Sequence, residues 1–435
     1  MTQSDIFKEN PLARKLTAVT VPPGMGGVRK LASMLGPALD GTGPAILPVA
    51  TQPEQILQQN LESLKPDDSN YPLESDDIAI VCTTSGSTGT PRGVLLSQQA
   101  LQASAYAFGA RFGTNNRWVI SMPAHRIAGI MVLVRSWFHE SPLEIDPSVG
   151  GARPFAAAAF AATTLSAKRE SNKDGRALMV SLVPTQIARL LEAGSVGIEA
   201  LQTYDLVLSG AAATSQPMLQ RLRELGINVS ISYGMTETCG GCVFDGSPLD
   251  GVRISLGTPD DIEPGRITIS GNVTASGYRL RPDLDALSFI SGQVQTHDAG
   301  KLDSSGRLHI LGRLDDVVIV GGVNVSLSAV ESLIRHHPLI QDVALIDIQD
   351  DLWGSIPIAH LVTRTPISDA ANLIAELQET IRNQIGSAAV PRAIYFATSL
   401  PMLDSGKIDR ISLRLQTASD ITEGRFPHPG SSSII

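Results

Sequence analysis

The sequence predicts an α/β protein with three parts: a large N-terminal region of helices layered on a parallel sheet, a β-rich subdomain, and a small α+β domain. Three observations predict it. Between residues 177 and 231, short apolar runs alternate with amphipathic stretches at glycine- and proline-marked turns, the pattern of strands and helices in layered α/β folds. From Asp250 onward the apolar runs shorten and the turns tighten, as expected of a β-rich unit. After Arg313 a stretch of about 100 residues carries its own strands and helices, enough for an independent core. At 435 residues the chain exceeds what one hydrophobic core supports, so several domains are expected.

Taken in order, residues before Asp76 are rich in Pro, Gly and Ala, with one helix predicted over 54–64. Residues 78–82 read as a buried strand, and Val94-Leu95-Leu96 as a second apolar run. Ser97 is placed to cap a helix over 101–112. A strand over 119–122 ends at Pro123, and a buried helix over 130–138 is opened by Ala128-Gly129. The alternating region then gives a strand at 177–183, a helix from Pro184 stopping at Gly194, a strand at 206–208, a helix over 214–225 closed by Gly226, and a strand at 227–231. Arg266-Ile267-Thr268-Ile269 and Arg307-Leu308-His309-Ile310 typify the β-rich part. The small domain reads as strand 317–320, Gly321-Gly322, helix 327–334, strands 343–348 and 358–362, helix 369–385 and a last strand near Ile394. Expected domains are therefore 1–314 and 315–416, with 417–435 as a polar, disordered tail.

Composition narrows the function. With 43% hydrophobic and 18% charged residues the chain is ordinary for a globular protein, and its net charge of −9 argues against non-specific nucleic-acid binding. The start carries no basic segment followed by an apolar core, and no apolar run reaches membrane-spanning length, so a cytoplasmic protein is expected. Partners are then small molecules, with no nucleic acid and no membrane span; a homodimer stays open. The three cysteines, Cys82, Cys239 and Cys242, make no disulfide framework. Cys239-Gly-Gly-Cys242 has redox or zinc spacing, but zinc wants a second ligand pair and only Cys82 remains.

The densest chemistry lies in Thr83-Thr84-Ser85-Gly86-Ser87-Thr88-Gly89-Thr90-Pro91-Arg92-Gly93, between the two apolar runs. Glycines let the backbone approach a ligand closely, while amide N–H groups and hydroxyls supply many donors in one concavity, a combination suited to phosphate. It is neither a Walker A loop nor a Gly-x-Gly-x-x-Gly fingerprint. Tyr233-Gly234-Met235-Thr236-Glu237 follows a predicted strand, and a carboxylate there suits Mg²⁺; alone, the stretch also reads as a helix cap using Thr236. Asp298, Arg313, Asp315 and Lys407 taken singly read as ordinary turn and surface residues.

Together these motifs, in this order from Ile78 to Arg410, resemble the adenylate-forming enzymes, the superfamily of acyl-CoA synthetases, luciferases and peptide-synthetase adenylation domains. The resemblance implies that superfamily's fold, with a mobile C-terminal domain, and ATP, Mg²⁺ and coenzyme A as what the protein uses. It implies that Thr84, Ser85, Gly86, Ser87, Thr88 and Gly89 cradle phosphate, with Arg92 where lysine is usual. Tyr233 is implied against adenine, Gly234 as part of the ATP site, Thr236 on phosphate, and Glu237 on the metal. Asp298 and Arg313 are implied at the ribose, although His297 replaces the usual glycine before that aspartate. Asp315 is implied as the hinge, and Lys407 as the cation that stabilises adenylation. Residues 122–136, 182–186 and 238–246 further resemble the o-succinylbenzoate-CoA ligase branch, which implies an acyl pocket near Arg126, Ser209, Gly210 and Gly240. The reaction implied is ATP-dependent thioester formation through an acyl-adenylate, in menaquinone synthesis. Arg126 has three readings: a partner for a substrate carboxylate, an aid to pyrophosphate release, or one half of a salt bridge. Alternatives to the whole are another aryl- or fatty-acid CoA ligase, or a nucleotide sensor without catalysis.

Overall fold

The computed structural model describes residues 14–85, 91–257, 263–314, 316–350, 353–367, 369–402 and 408–423. Contacts divide the chain into two units, one of Met1–Thr214, Gln220–Ile254 and Thr268–Thr296, the other of Ser215–Leu219, Ser255–Ile267 and His297–Ile435.

The first unit holds two sheets. In one, the strands run in the order Leu16–Val21, Ala45–Ala50, Ile78–Ser85, Pro91–Ser97, Gly277–Tyr278. The first three are parallel, and Pro91–Ser97 is antiparallel to both its neighbours. Ile78 to Cys82 are fully buried, which is why this strand reads as an unbroken apolar run rather than an alternating one. The other sheet follows the order Ser247–Pro248, Gly240–Phe244, Val229–Met235, Leu206–Ser209, Ala177–Leu182, Asn116–Ile120, Leu143–Ile145. From Leu143–Ile145 to Val229–Met235 every pairing is parallel, as the strand and helix alternation predicts. The last two strands turn back antiparallel.

Several elements differ from expectation. Strand Val229–Met235 runs past residue 231, so Tyr233 and Gly234 lie within it and Thr236–Thr238 forms a single tight turn behind it. Helix Ile127–Phe138 begins earlier than expected, with Arg126 at its N-cap. Ser97 does cap its helix, accepting from the Ala100 N–H at 3.1 Å, but that helix opens at Gln98. Gly194 ends one helix with φ +67°, and a second, Ser195–Gln202, starts directly after it. Short strands Arg253–Ser255, Gly265–Ser270 and Phe289–Ile290 agree with a shift to β structure after Asp250.

In the second unit, strands Val323–Ser326, Val317–Val320, Gly354–Thr363 and Ile340–Asp350 lie in that order, with Ala393–Phe396 parallel to Gly354–Thr363. Strand Ile340–Asp350 is buried on both sides. Val343 and Leu345 meet Val330 and Ile334 of helix Leu327–Arg335 and Leu373, Leu377 and Ile381 of helix Ala370–Gln384. Ala344 and Ile346 point the other way, toward Leu413 of helix Arg410–Thr422. That last helix corrects the sequence reading, in which Thr417 opened a disordered tail: Thr417 is buried within it.

Candidate active site

Strands Ile78–Ser85 and Pro91–Ser97 are in register up to Thr84 opposite Arg92 and Ser85 opposite Pro91. Gly86, Ser87, Thr88, Gly89 and Thr90 lie outside the described residues. Cys82, fully buried on the first strand, marks what gathers here. Burial dominates its surroundings and pushes its thiol up to about 12, while the charges of Arg126 and Glu237 and a hydrogen bond with the Thr236 side chain also act on it. The strand end, the turn after Val229–Met235 and the start of helix Ile127–Phe138 thus converge.

Glu237 is half-buried in that turn, and its Oε1 accepts a hydrogen bond from the Tyr278 hydroxyl at 2.8 Å. Burial, with Glu237 second, raises the Tyr278 phenol far above its ordinary value, so it stays a donor. Oε2 of Glu237 accepts nothing among the described residues. A hard oxygen left open in this way fits Mg²⁺, which binds through one or two carboxylates plus substrate phosphates. Among the described residues there is no cluster of three or more His, Cys, Asp or Glu that would hold a metal by protein groups alone, so the zinc reading of the cysteines has no support there. Tyr278 was not expected from the sequence, because its partner is 41 residues away.

Backbone packing behind this turn is tight. A Cβ on Gly234 would sit 2.1 Å from the Gly240 carbonyl oxygen, so no side chain fits there. Gly240 has φ +81°, and a Cβ on it would press on Met131 at 3.0 Å. Thr238 ties the turn together, donating to the Gly240 carbonyl at 2.8 Å. On the neighbouring strand, Ser209 is fully buried, with its hydroxyl 2.8 Å from that of Thr214, and the Gly210 N–H donates to the Leu182 carbonyl at 3.2 Å. Of the residues expected at an acyl pocket, Gly240 adjoins helix Ile127–Phe138, and Gly210 lies against Ser232, a Cβ there meeting its Cβ at 3.3 Å.

Arg126 is half-buried, and its buried Nε has no hydrogen-bond partner among the described residues. It forms no ion pair among the described residues, so no salt bridge accounts for it there. His125 beside it is 6% exposed, and its Nε2 also lacks a partner. Burial first, and the Arg126 charge second, lower its pKa to about 3, so His125 is neutral and Arg126 carries the local charge alone.

In the second unit, Asp298 and Arg313 sit opposite each other on the hairpin of Gln293–Leu302 and Leu308–Arg313, with Oδ1 and Nη1 3.7 Å apart. Arg313 is about half exposed and Asp298 largely covered, at 48% and 14%. Asp315 lies outside the described residues, and so does Lys407. Among the described residues on either side of 403–407, Met402 and Ile408 form an antiparallel bridge, and the Asp409 N–H donates to the Pro401 carbonyl at 2.8 Å. Asp409 then caps helix Arg410–Thr422, whose Arg410 forks onto Glu331 through two 2.9 Å hydrogen bonds.

Comparison with known proteins bears on the family and the fold. The AMP-binding enzyme family matches residues 38–279, and the AMP-binding enzyme C-terminal domain matches residues 329–407. A Mycobacterium tuberculosis protein named probable 2-succinylbenzoate–CoA ligase is 35% identical over 403 residues, spanning 92% of this chain and 97% of that protein. The 2-succinylbenzoate–CoA ligase of Bacillus pumilus is 27% identical, over 94% of this chain and 82% of the relative. Among solved structures, o-succinylbenzoate CoA synthetase from Bacillus subtilis with the acyl-adenylate intermediate superposes with a TM-score of 0.69 at 23% identity, covering 93% of this chain and 89% of that one. ATP-bound MatB from Rhodopseudomonas palustris gives 0.77 at 22% identity, covering 94% and 90%. Both structures share the fold. With its N-terminal match covering more than half of the sequence and its C-terminal match following in the expected order, the chain belongs to the AMP-binding enzyme family.

Proposed function

We propose that the protein is an AMP-forming acid–thiol ligase that converts o-succinylbenzoate to o-succinylbenzoyl-CoA, a step of menaquinone synthesis. The observation that carries this reading is the 35% identity to the Mycobacterium tuberculosis ligase over 92% of the chain. In the first half-reaction a carboxylate oxygen of the acid attacks the α-phosphorus of ATP, and the bond to pyrophosphate breaks. In the second, the CoA thiolate attacks the acyl carbonyl, and AMP leaves.

Each residue then has a task. Thr84, Ser85 and residues 86–89 hold the β- and γ-phosphates, with Arg92 adding charge, and Thr236 donates to the phosphate chain. Glu237 would hold Mg²⁺, which when bound would supply neutralisation of phosphate charge. Tyr233 and Gly234 form the wall for adenine, while Asp298 accepts from the ribose hydroxyls, as an ionised carboxylate can from two donors at once, and Arg313 lies beside it. Lys407 offsets the charge that develops on the phosphoryl oxygens. Arg126 takes the benzoate carboxylate, and Ser209, Gly210 and Gly240 shape the pocket. Asp315 is the pivot between the two half-reactions. The expected setting is the cytoplasm, and no helix among the described residues is long and apolar enough to cross a membrane. A homodimer is compatible with this chemistry but not required by it.

ATP–pyrophosphate exchange tests the reading, run with o-succinylbenzoate, benzoate and decanoate in parallel. Exchange is expected with o-succinylbenzoate far above the other two. Faster exchange with either simple acid replaces the substrate assignment by an aryl- or fatty-acid ligase, and no exchange with any of them points to a nucleotide sensor.

A further inference from the structure

We propose that Tyr278 is a positioning residue for the Glu237 carboxylate, fixing which of its oxygens is offered to the divalent cation. The proposal rests on reading Glu237 as the cation's ligand.

The geometry is that of a fixed post and a hinged arm. Glu237 has three side-chain torsions, and among the described residues its other tie is through the main chain, a hydrogen bond from the Ala275 N–H to its carbonyl at 2.8 Å. Tyr278 is held from all sides. Its N–H donates to Asp285 at 2.7 Å, its ring meets Phe289 edge-on at 5.4 Å, and its strand pairs with Val94 and Leu95. The next residue anchors it more firmly still. The Arg279 side chain is wholly buried and donates to the carbonyls of Leu64, Lys65, Tyr71 and Pro72 and to the Glu74 carboxylate, while its N–H reaches the Gly93 carbonyl at 2.7 Å.

A phenol so clamped delivers its hydroxyl to one point, and that point is Oε1 of Glu237. With Oε1 engaged, the rotation of the carboxylate is set, and Oε2 is the oxygen presented to a ligand. Preorganisation of this kind saves the ordering cost otherwise incurred when the ligand binds. A phenylalanine would fill the same volume, so packing alone does not account for the hydroxyl.

The test is Tyr278→Phe, which removes one oxygen and keeps the ring. Manganese(II) binding is followed by electron paramagnetic resonance on the full-length protein with ATP and without acid, so that nothing turns over. Loss of a charge-assisted hydrogen bond to the ligand oxygen should raise the Mn²⁺ midpoint about three- to tenfold, with thermal stability close to that of the parent. In turnover, the apparent KM for Mg²⁺ should rise by a similar factor with a smaller change in kcat. Glu237→Gln separates the two readings. If Glu237→Gln loses Mn²⁺ and Tyr278→Phe binds it as the parent does, the positioning role is overturned and the ligand stands. If both variants bind as the parent does, the ligand reading falls and the positioning role with it.

Discussion

At the scale of single residues, the acyl end of the site turns on Arg126. Its cation has no ion-pair partner among the described residues, and the neighbouring histidine is neutral. A guanidinium in that state is ready for a carboxylate, which it would grip through two parallel hydrogen bonds. Arg126→Ala should therefore raise KM for the acid by about 10- to 100-fold, the scale of a lost charged hydrogen-bonded pair, with KM for ATP unchanged. Steady-state kinetics with each substrate varied in turn checks this; a matched loss for ATP with the acid unaffected would assign Arg126 to pyrophosphate instead. Arg126 and Glu237 were legible in the sequence because each sits inside a local motif. Tyr278 was not, because its tie to Glu237 is made by strand Gly277–Tyr278 pairing with Pro91–Ser97, a contact nearly two hundred positions apart in the chain that no local pattern encodes.

At the scale of elements, legibility followed how strongly each segment declares its period. Strands Asn116–Ile120, Ala177–Leu182, Leu206–Ser209 and Val229–Met235 of the parallel sheet were visible as apolar runs, whereas the three-residue Leu143–Ile145 was not. Helix Met25–Asp40 was not, since it opens with glycines and carries Pro37 inside, signs that ordinarily mark a loop. Two of its glycines are spent on close packing: a Cβ on Gly27 would meet the Pro22 carbonyl oxygen at 1.9 Å, and one on Gly36 the Trp137 ring at 2.6 Å. Helix Arg410–Thr422 was missed because it buries little beyond Leu413 and Thr417 and otherwise reads as a polar tail.

Thr417 also holds the Nε2 of His360, at 3.1 Å, and the His360 ring stacks on Tyr395 at 4.8 Å. Burial lowers the His360 pKa from 6.5 to about 4. The unfolded chain therefore takes up this proton near pH 6.5 while the folded protein refuses it until about pH 4, so stability is full above 6.5 and declines as pH falls between those values. Denaturant titrations from pH 7.5 to 4.5 should show that decline, and His360→Gln should make it shallower. An equal slope in the variant would mean that His360 does not contribute.

For the whole molecule, the sequence announced two functions in two stretches, and the two family matches fall on the same stretches. The N-terminal stretch carries Glu237, Arg126 and the hydroxyl-rich hairpin, and the C-terminal stretch carries Lys407. In the proposed reading Lys407 serves the first half-reaction only. Lys407→Ala should then abolish pyrophosphate exchange yet retain thioester formation from supplied o-succinylbenzoyl-adenylate and CoA, each followed by chromatography of the products. Equal loss in both assays would contradict a division of labour.

The burial of Cys82, Cys239 and Cys242 carries a last consequence. All three are free and closed off from solvent, and burial raises every one of their thiols, Cys82 and Cys242 to about 12. Oxidants and alkylating reagents attack the thiolate, a form that these side chains scarcely populate while the core is shut. Resistance to such reagents is thus expected as a by-product of how tightly the floor formed by these buried residues is packed. Because the sequence has no other cysteine, any thiol that does react reports the moment when that floor opens.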